Sequence, residues 1–299
     1  MPIRSLAGAV VLRNIPFTID EKKVLREMRI PKAGSLAELD SATLSRDIKK
    51  AIDLAYSLIQ GQACYRTFRI AEVRPDRIVI EGSGTLLSGS NMVKLLADCD
   101  YATLMACHIG EALPARVEAL SAENLAEAFF LERVGTWMAD YMADQVDRVV
   151  ESEIVKNGYE RTFRYACGYG DWALSHQPEL LRLVEAEKIG LKAMPESHIM
   201  IPRMAVSAVI GWNRWSLHAL KNLGDREIDR AVADQTLEAP ELVVPGQPLR
   251  RVFMRRYFDP VLQQEMLLRI VVEETASERV VVTLYKTSRI DRFLEGGAS

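Results

Sequence analysis

Residues 63–82, "ACYRTFRIAEVRPDRIVIEG", alternate apolar and polar positions, are rich in β-branched side chains and carry Pro75 and Asp76 near their middle. The pattern predicts two strands around a turn. Helical patterns flank it. Upstream, "SATLSRDIKKAIDLAYSLIQ" sets Leu44, Ile48, Ile52, Ala55, Leu58 and Ile59 on one stripe at helical spacing. Before that, "AGAVVL" is a short strand candidate and "IDEKKVLREMRI" a helix with Asp20 as its cap. Helices and strands that mix in this way are expected of an α+β fold.

Downstream, "GSNMVKLLADCDYATLMACHIG" begins as a helix at Gly89 and Ser90. Its second half, "YATLMACHIG" after Asp98, reads equally as a strand or a buried helix, and periodicity does not separate the two. From Ser121 to about Val150 the pattern is a long helix, with Ser121 as N-cap and Asn124 where a capping box carries Glu or Gln. One face carries Trp137, Tyr141 and Asp144, another Met138, Met142, Val146 and Val149. Asp140 and Asp144 form a like-charge i,i+4 pair, unfavourable in an isolated helix unless a cation sits nearby; a solvated acidic face is the simpler alternative. "SHQPELLRLVEAEKIG" reads as a helix capped by Ser175, with Pro178 and Glu179 in its first turn and Gly190 ending it. "ESHIMIP" and "MAVSAVIGW" are apolar, strand-like segments separated by Pro202 and Arg203.

The character changes after Trp212. "SLHALKNLGDREIDRAVAD" reads as two helices broken at Gly224, with Asp225 capping the second. "APELVVPGQP" follows, then three strand-like runs, "LRRVFMRRYF", "QEMLLRIVVEE" and "ERVVVTLYKTS". This order predicts two units: residues 1–212, and a small αα-βββ domain over 216–299 whose strands are rich in Arg250, Arg251, Arg255, Arg256 and Arg269.

Composition limits the function. Lys and Arg number 38 against 41 Asp and Glu, for a formal charge of −3, so no overall basic field points to nucleic acid. No run has the order of a signal peptide and none reaches eighteen consecutive apolar residues, which leads us to expect a cytoplasmic chain without a membrane span. The four cysteines, Cys64, Cys99, Cys107 and Cys167, and the four histidines are scattered, so buried thiols are expected and no metal site.

The densest chemistry lies in "RYACGYGDWALSHQ", Arg164–Gln177. Its Arg, three residues, Gly-Tyr order (Arg164, Gly168, Tyr169) resembles the S-adenosylmethionine loop in the reactivation domain of cobalamin-dependent methionine synthase. "MPESHIMIPRMAVSAVIGW" resembles the family's second signature through Glu196, Ser197, Pro202, Val206, Ser207 and Gly211. The resemblance spans residues 1 to about 212, is to stand-alone forms of that domain, and implies its mixed helix and antiparallel-sheet α+β fold. It implies a methyltransferase reactivation component that binds S-adenosylmethionine and docks on a partner's cobalamin-binding methyltransferase modules. There it would support reductive methylation of inactive cob(II)alamin, with an electron donor such as flavodoxin or ferredoxin.

The resemblance also implies site residues. Arg164 is the carboxylate clamp, a role suited to a bidentate guanidinium. Gly168 permits close backbone approach. Tyr169 lies where the ligand meets the partner's corrin. Asp140 stands where the family has a Glu on the long helix, and Glu196 orders the loop behind the site. No side chain of this chain is expected to act as a nucleophile, because the cofactors carry the chemistry.

Three departures weigh against full function: Cys167 replaces the family's proline before Gly-Tyr, Asp140 is one methylene shorter than Glu, and the downstream aromatic contact is missing, with Trp212 or Trp215 the substitutes at hand. They favour a rival, a SAM-sensing or scaffold protein. The C-terminal part more loosely resembles a small bacterial family of unknown function related to toxin-type ribonucleases. That likeness makes RNA chemistry through His218, Arg255, Arg256 and Lys286 a further alternative, against a structural or protein-binding domain.

Overall fold

The computed structural model describes residues 3–30, 32–213, 215–246, 250–274 and 279–294. Gln247 and Pro248 of the "APELVVPGQP" stretch, and both chain ends of the expected units, lie outside these.

The first unit is built on one antiparallel sheet. Its strands are β1 (Val10–Arg13), β2 (Gln62–Val73), β3 (Arg77–Ile80), β4 (Ser83–Ser88), β5 (Cys99–His108), β6 (Glu160–Arg161), β7 (Tyr165–Ala166) and β10 (Ala205–Asn213). The order is β4-β3-β2-β5-β10-β6, with β1 also on β2 and β7 also on β10. A separate hairpin, β8 (Lys192–Ala193) with β9 (Met200–Ile201), holds Glu196 and Ser197 of the second signature, while its Val206, Ser207 and Gly211 lie in β10.

Helices cover both faces. On one lie α1 (Arg4–Ala7), α2 (Glu21–Glu27), α3 (Ala42–Leu58), α5 (Ala112–Glu123) and α6 (Leu125–Lys156); on the other lie α4 (Ser90–Leu96) and α7 (Gln177–Leu183). Met105 and Cys107 of β5 point into the α6 side, and Leu104 and Ala106 into the α4–α7 side. A strand buried on both faces loses the polar half of its alternation, which is why "YATLMACHIG" was ambiguous as sequence. The helix expected within residues 41–60 and the hairpin at Pro75–Asp76 are both present, and Asp20 and Ser41 cap α2 and α3.

Some boundaries differ from expectation. The long helix does not begin at Ser121, which lies inside α5 and donates its hydroxyl to Val117 O at 2.8 Å. The chain breaks at Asn124, whose Oδ1 accepts from Glu127 N at 3.2 Å while its Nδ2 donates to the Glu127 carboxylate at 3.3 Å. The N-cap is thus Asn124, one turn later, and Glu127 accepts from its side-chain amide and not from its backbone N–H, which bonds Leu120 O. Ser175 sits within a 3-10 turn, Leu174–His176, that precedes α7, so it is not the cap; α7 ends at Leu183, and Gly190 closes a further 3-10 turn.

Beyond Asn213, α8 (Leu217–Asp225) and α9 (Arg230–Glu238) pack on a sheet ordered β11 (Leu242–Pro245), β12 (Arg250–Asp259), β13 (Gln264–Glu274), β14 (Arg279–Thr287). A short helix, α10 (Asp291–Leu294), follows. α8 runs through Gly224 to Asp225, and the cap of α9 is Asp229, which accepts from Ala231 N. The strand β11 adds a fourth to the three expected. Trp212 sinks into the core on the α6 side of the large sheet, whereas Trp215 sinks into the core under α8 and α9.

Candidate functional site

The Arg164–Gln177 segment is pinned at three points. β7 pairs Tyr165 and Ala166 with Val209 and Ala208 of β10. Trp172 is buried, donates its indole N–H to Leu86 O at 2.8 Å, and stacks under the Tyr165 ring at 6.1 Å. Asp171 reaches the start of α4, where its carboxylate accepts from Ser90 Oγ at 3.0 Å and Asn91 N at 3.1 Å. The N-cap of α4 is Gly89, at φ +113°, and a Cβ there would lie 2.8 Å from the Asp171 carboxyl. Glycine therefore admits a cap delivered from a distant loop. The Asn91 amide, with Ser90, holds the Asp171 carboxyl below its ordinary range.

Between these anchors the chain turns tightly. Gly168, at φ +89°, donates to Trp172 O at 3.0 Å, and Trp172 N donates to Tyr169 O at 3.0 Å. A Cβ on Gly168 would press on Leu174 at 3.1 Å. The turn leaves Tyr169 70% exposed, although its backbone carbonyl accepts from the Tyr165 hydroxyl. Anchoring explains Trp172, Asp171 and the glycine; it does not explain an exposed tyrosine ring.

Beside Tyr169 lies a cavity of about 640 Å³. Thr136 and Asp140 of α6 form one wall, with Arg164 beside them, and His198 and Ile199 of the β8–β9 hairpin contribute another. Two buried polar side chains, Gln177 and Ser207, also line it and bond each other at 2.8 and 3.0 Å. Arg164 Nη1 donates to Asp144 at 3.1 Å and lies 3.8 Å from Asp147, which also pairs with Arg161 at 2.6 Å. The cation that the Asp140–Asp144 pair calls for is thus present. Asp140 itself makes no hydrogen bond among the described residues; desolvation pushes its carboxyl above the ordinary value, Arg164 draws it partly back, and Glu27 and Asp144 add to the rise.

The structure brings together Arg164, Asp140 and Tyr169 of the expected site. Gly168 shapes the loop from behind Leu174, while Glu196 sits at the exposed tip of the β8–β9 turn and does not line the cavity. Neither Trp212 nor Trp215 reaches it. Cys167 lines the cavity, but burial pushes its thiol up to about 12, with only partial relief from the Gly168 amide. Sequence reasoning missed Thr136, Gln177 and His198. Thr136 is one helical turn before Asp140, a signal that was legible. His198, at φ +58° with a buried Nδ1 that has no partner among the described residues, was not.

In the C-terminal unit the arginines and Lys286 are committed separately. Arg255 donates to Ala239 O, Arg256 pairs with Glu241 at 2.8 Å, and Lys286 pairs with buried Asp259 at 2.8 Å.

The two-faced antiparallel sheet and its long helix define a fold of the methionine synthase reactivation-domain kind, α+β with helices on both faces. A crystal structure of the MetH reactivation domain bound to AdoHcy superposes with a TM-score of 0.50 over 70% of this chain and 79% of that one, at 18% identity. No protein-family model and no curated protein matches the sequence. No helix among the described residues is long and apolar enough to cross a membrane.

Proposed function

We propose that the cavity beside Tyr169 binds S-adenosylmethionine, and that the chain supports reductive methylation of the cobalamin of a partner corrinoid protein such as methionine synthase. The observation that carries this reading is the meeting of Arg164 and Asp140 in one cavity under an exposed Tyr169, in a fold shared with a domain solved with AdoHcy. About 640 Å³ lies within the range of small-molecule sites. A guanidinium and a carboxylate on its wall match the two charges of an amino-acid moiety.

S-adenosylmethionine supplies a methyl group on a sulfonium. The protein's part is orientation and charge. Arg164 holds the ligand carboxylate while Asp144 and Asp147 fix its guanidinium. Asp140 holds the ammonium, for which a carboxylate without another hydrogen bond is suited. His198 Nδ1 offers a polar contact from the hairpin. The Tyr169 ring, apolar with a wet edge, faces the partner's corrin. The test is calorimetric titration with S-adenosylmethionine, followed by reductive methylation of a partner's cob(II)alamin with flavodoxin or ferredoxin as electron donor. Binding with no methylation supports the second reading, a SAM-sensing or scaffold protein, which is favoured by Glu196 lying off the cavity and by the lack of a tryptophan from the 212–215 segment in it. Failure to bind overturns both readings that involve the ligand.

A further inference from the structure

A second cavity, of about 890 Å³, lies where the first unit meets Trp215 and Leu220 of the C-terminal unit. Tyr165 lines both cavities, so the 162–169 segment is the partition between them. Three features of this cleft are unused by the site above. Phe163 is 64% exposed in it and meets the Tyr165 ring edge-on at 6.2 Å. Trp215 at the wall is fully buried, yet its indole N–H has no acceptor among the described residues. Lys94 lines the cleft without a hydrogen bond or ion pair to any described residue. The other nearby cations are neutralised: Arg161 by Asp147 at 2.6 Å, and Arg230, stacked on Trp215, by Asp98 at 2.9 Å.

An exposed phenylalanine in a concave site offers a face for stacking, and an unpaired ammonium attracts an anion; the fully buried Trp215 indole closes the wall of the cleft. Asp98, Glu151 and Glu160 also line the cleft; Asp98 is paired with Arg230 and Glu151 lies 4.0 Å from Arg161, and the carboxylates together disfavour a second negative charge. We infer that this cleft is a second ligand site, for a planar aromatic or heteroaromatic monoanion: the ring lies against Phe163 and Tyr165, and the anionic group reaches Lys94. The assignment does not rest on which ligand the first cavity takes.

The test uses the full chain and 8-anilinonaphthalene-1-sulfonate, an aromatic monosulfonate that fluoresces when sequestered. The expected result is a saturable rise at one site per chain, with Kd weakened at least fivefold in Lys94→Ala and in Phe163→Ala. Both side chains are on the surface of the cleft, and unchanged thermal melts establish that the variants are folded. Arg203→Ala, on the rim of the first cavity, should leave Kd unchanged. Adenosine monophosphate, with its second phosphate charge, should compete poorly. Absence of saturable binding, equal affinity in both cleft variants and the unaltered chain, or loss of binding in Arg203→Ala alone would overturn the assignment.

Discussion

Arg164 Nη1 donates to Asp144 Oδ1 at 3.1 Å, and the same nitrogen lies 3.8 Å from Asp147. The two acids belong to α6, so the helix aims the guanidinium of a loop residue. Arg161 pairs with the same oxygen, Asp147 Oδ2, at 2.6 Å, so charges alternate through Asp144, Arg164, Asp147 and Arg161. The row orients Arg164 and also occupies part of its donor set.

Arg164→Ala is expected to weaken S-adenosylmethionine binding by roughly 10- to 150-fold, the equivalent of about 1.5–3 kcal/mol for a charge-assisted bond. The fold should persist, since Asp147 retains Arg161. Calorimetry and circular dichroism on the purified variant check both halves, and unaltered affinity would remove the clamp role.

Asp140→Asn separates stability from binding. Desolvation raises this carboxyl in the folded chain, so folded stability falls as pH climbs from the ordinary carboxylate range through the raised value. The Asn variant lacks that loss. Its melting temperature near neutral pH should therefore not drop, while its affinity for S-adenosylmethionine falls about tenfold, one charge-assisted contact. Asp144→Asn should cost less affinity, because Asp147 still holds Arg164. Melts across pH 4–8 paired with titrations decide it; equal effects of the two Asn variants would return Asp140 to the solvated face.

Gly168→Ala places a Cβ 3.1 Å from Leu174 at φ +89°. Strain of about 1–2 kcal/mol is expected. Leu174 is a cavity residue, so ligand affinity should fall along with the melting temperature. A variant that melts lower yet binds normally would show that Leu174 yields away from the ligand.

Residues 1–212 and 216–299 are proposed as separate folding units, because the buried clusters on either side of Asn213 share no residue. The Asp98–Arg230 ion pair that crosses between them is partly exposed, worth at most about 1 kcal/mol. A chain ending at Asn213, which keeps β10 whole, should melt cooperatively and bind S-adenosylmethionine as the full chain does. A soluble fragment that has lost binding would mean that the second unit completes the site.

In the C-terminal unit, Lys286 foremost, then the Leu262 amide, and further the Tyr257 hydroxyl and the Val261 amide, hold buried Asp259 down at about 2. A depressed carboxyl stabilises the fold above its ordinary pKa of about 3.9 and loses that contribution as pH falls toward 2. Asp259→Asn should lower the melting temperature at pH 7 but change it little near pH 2. Parallel acid melts of the two proteins test this; a constant difference across pH would assign the effect to packing.

Local signals carried much of the architecture. The stripe from Leu44 to Ile59 and the alternation through 63–82 are short-range patterns, and each appears as read. The Asn124–Glu127 cap was misplaced by one turn because Ser121 offers an equally good local signal, and only the break in the backbone chooses between them. Asp229 outcompetes Asp225 in the same way, since α8 runs on through Gly224.

Within the site, Arg164, Gly168, Tyr169 and Asp140 came into view through the resemblance of the Arg164–Gln177 segment to a known ligand loop, and not through periodicity or spacing alone. The work of Asp171 could not be read there, because its partner helix begins at Ser90, far away in sequence. The same holds for Gln177 with Ser207 and for His198, whose place on the cavity depends on the β8–β9 hairpin packing beside α7. By itself the sequence determined most of the elements and their order along the chain, because propensity, capping and periodicity act over a few residues. Which side chains share a cavity, which acid aims the arginine and which charges stay unpaired were decided only by the tertiary structure, because burial and electrostatics act between residues that the chain alone does not bring together.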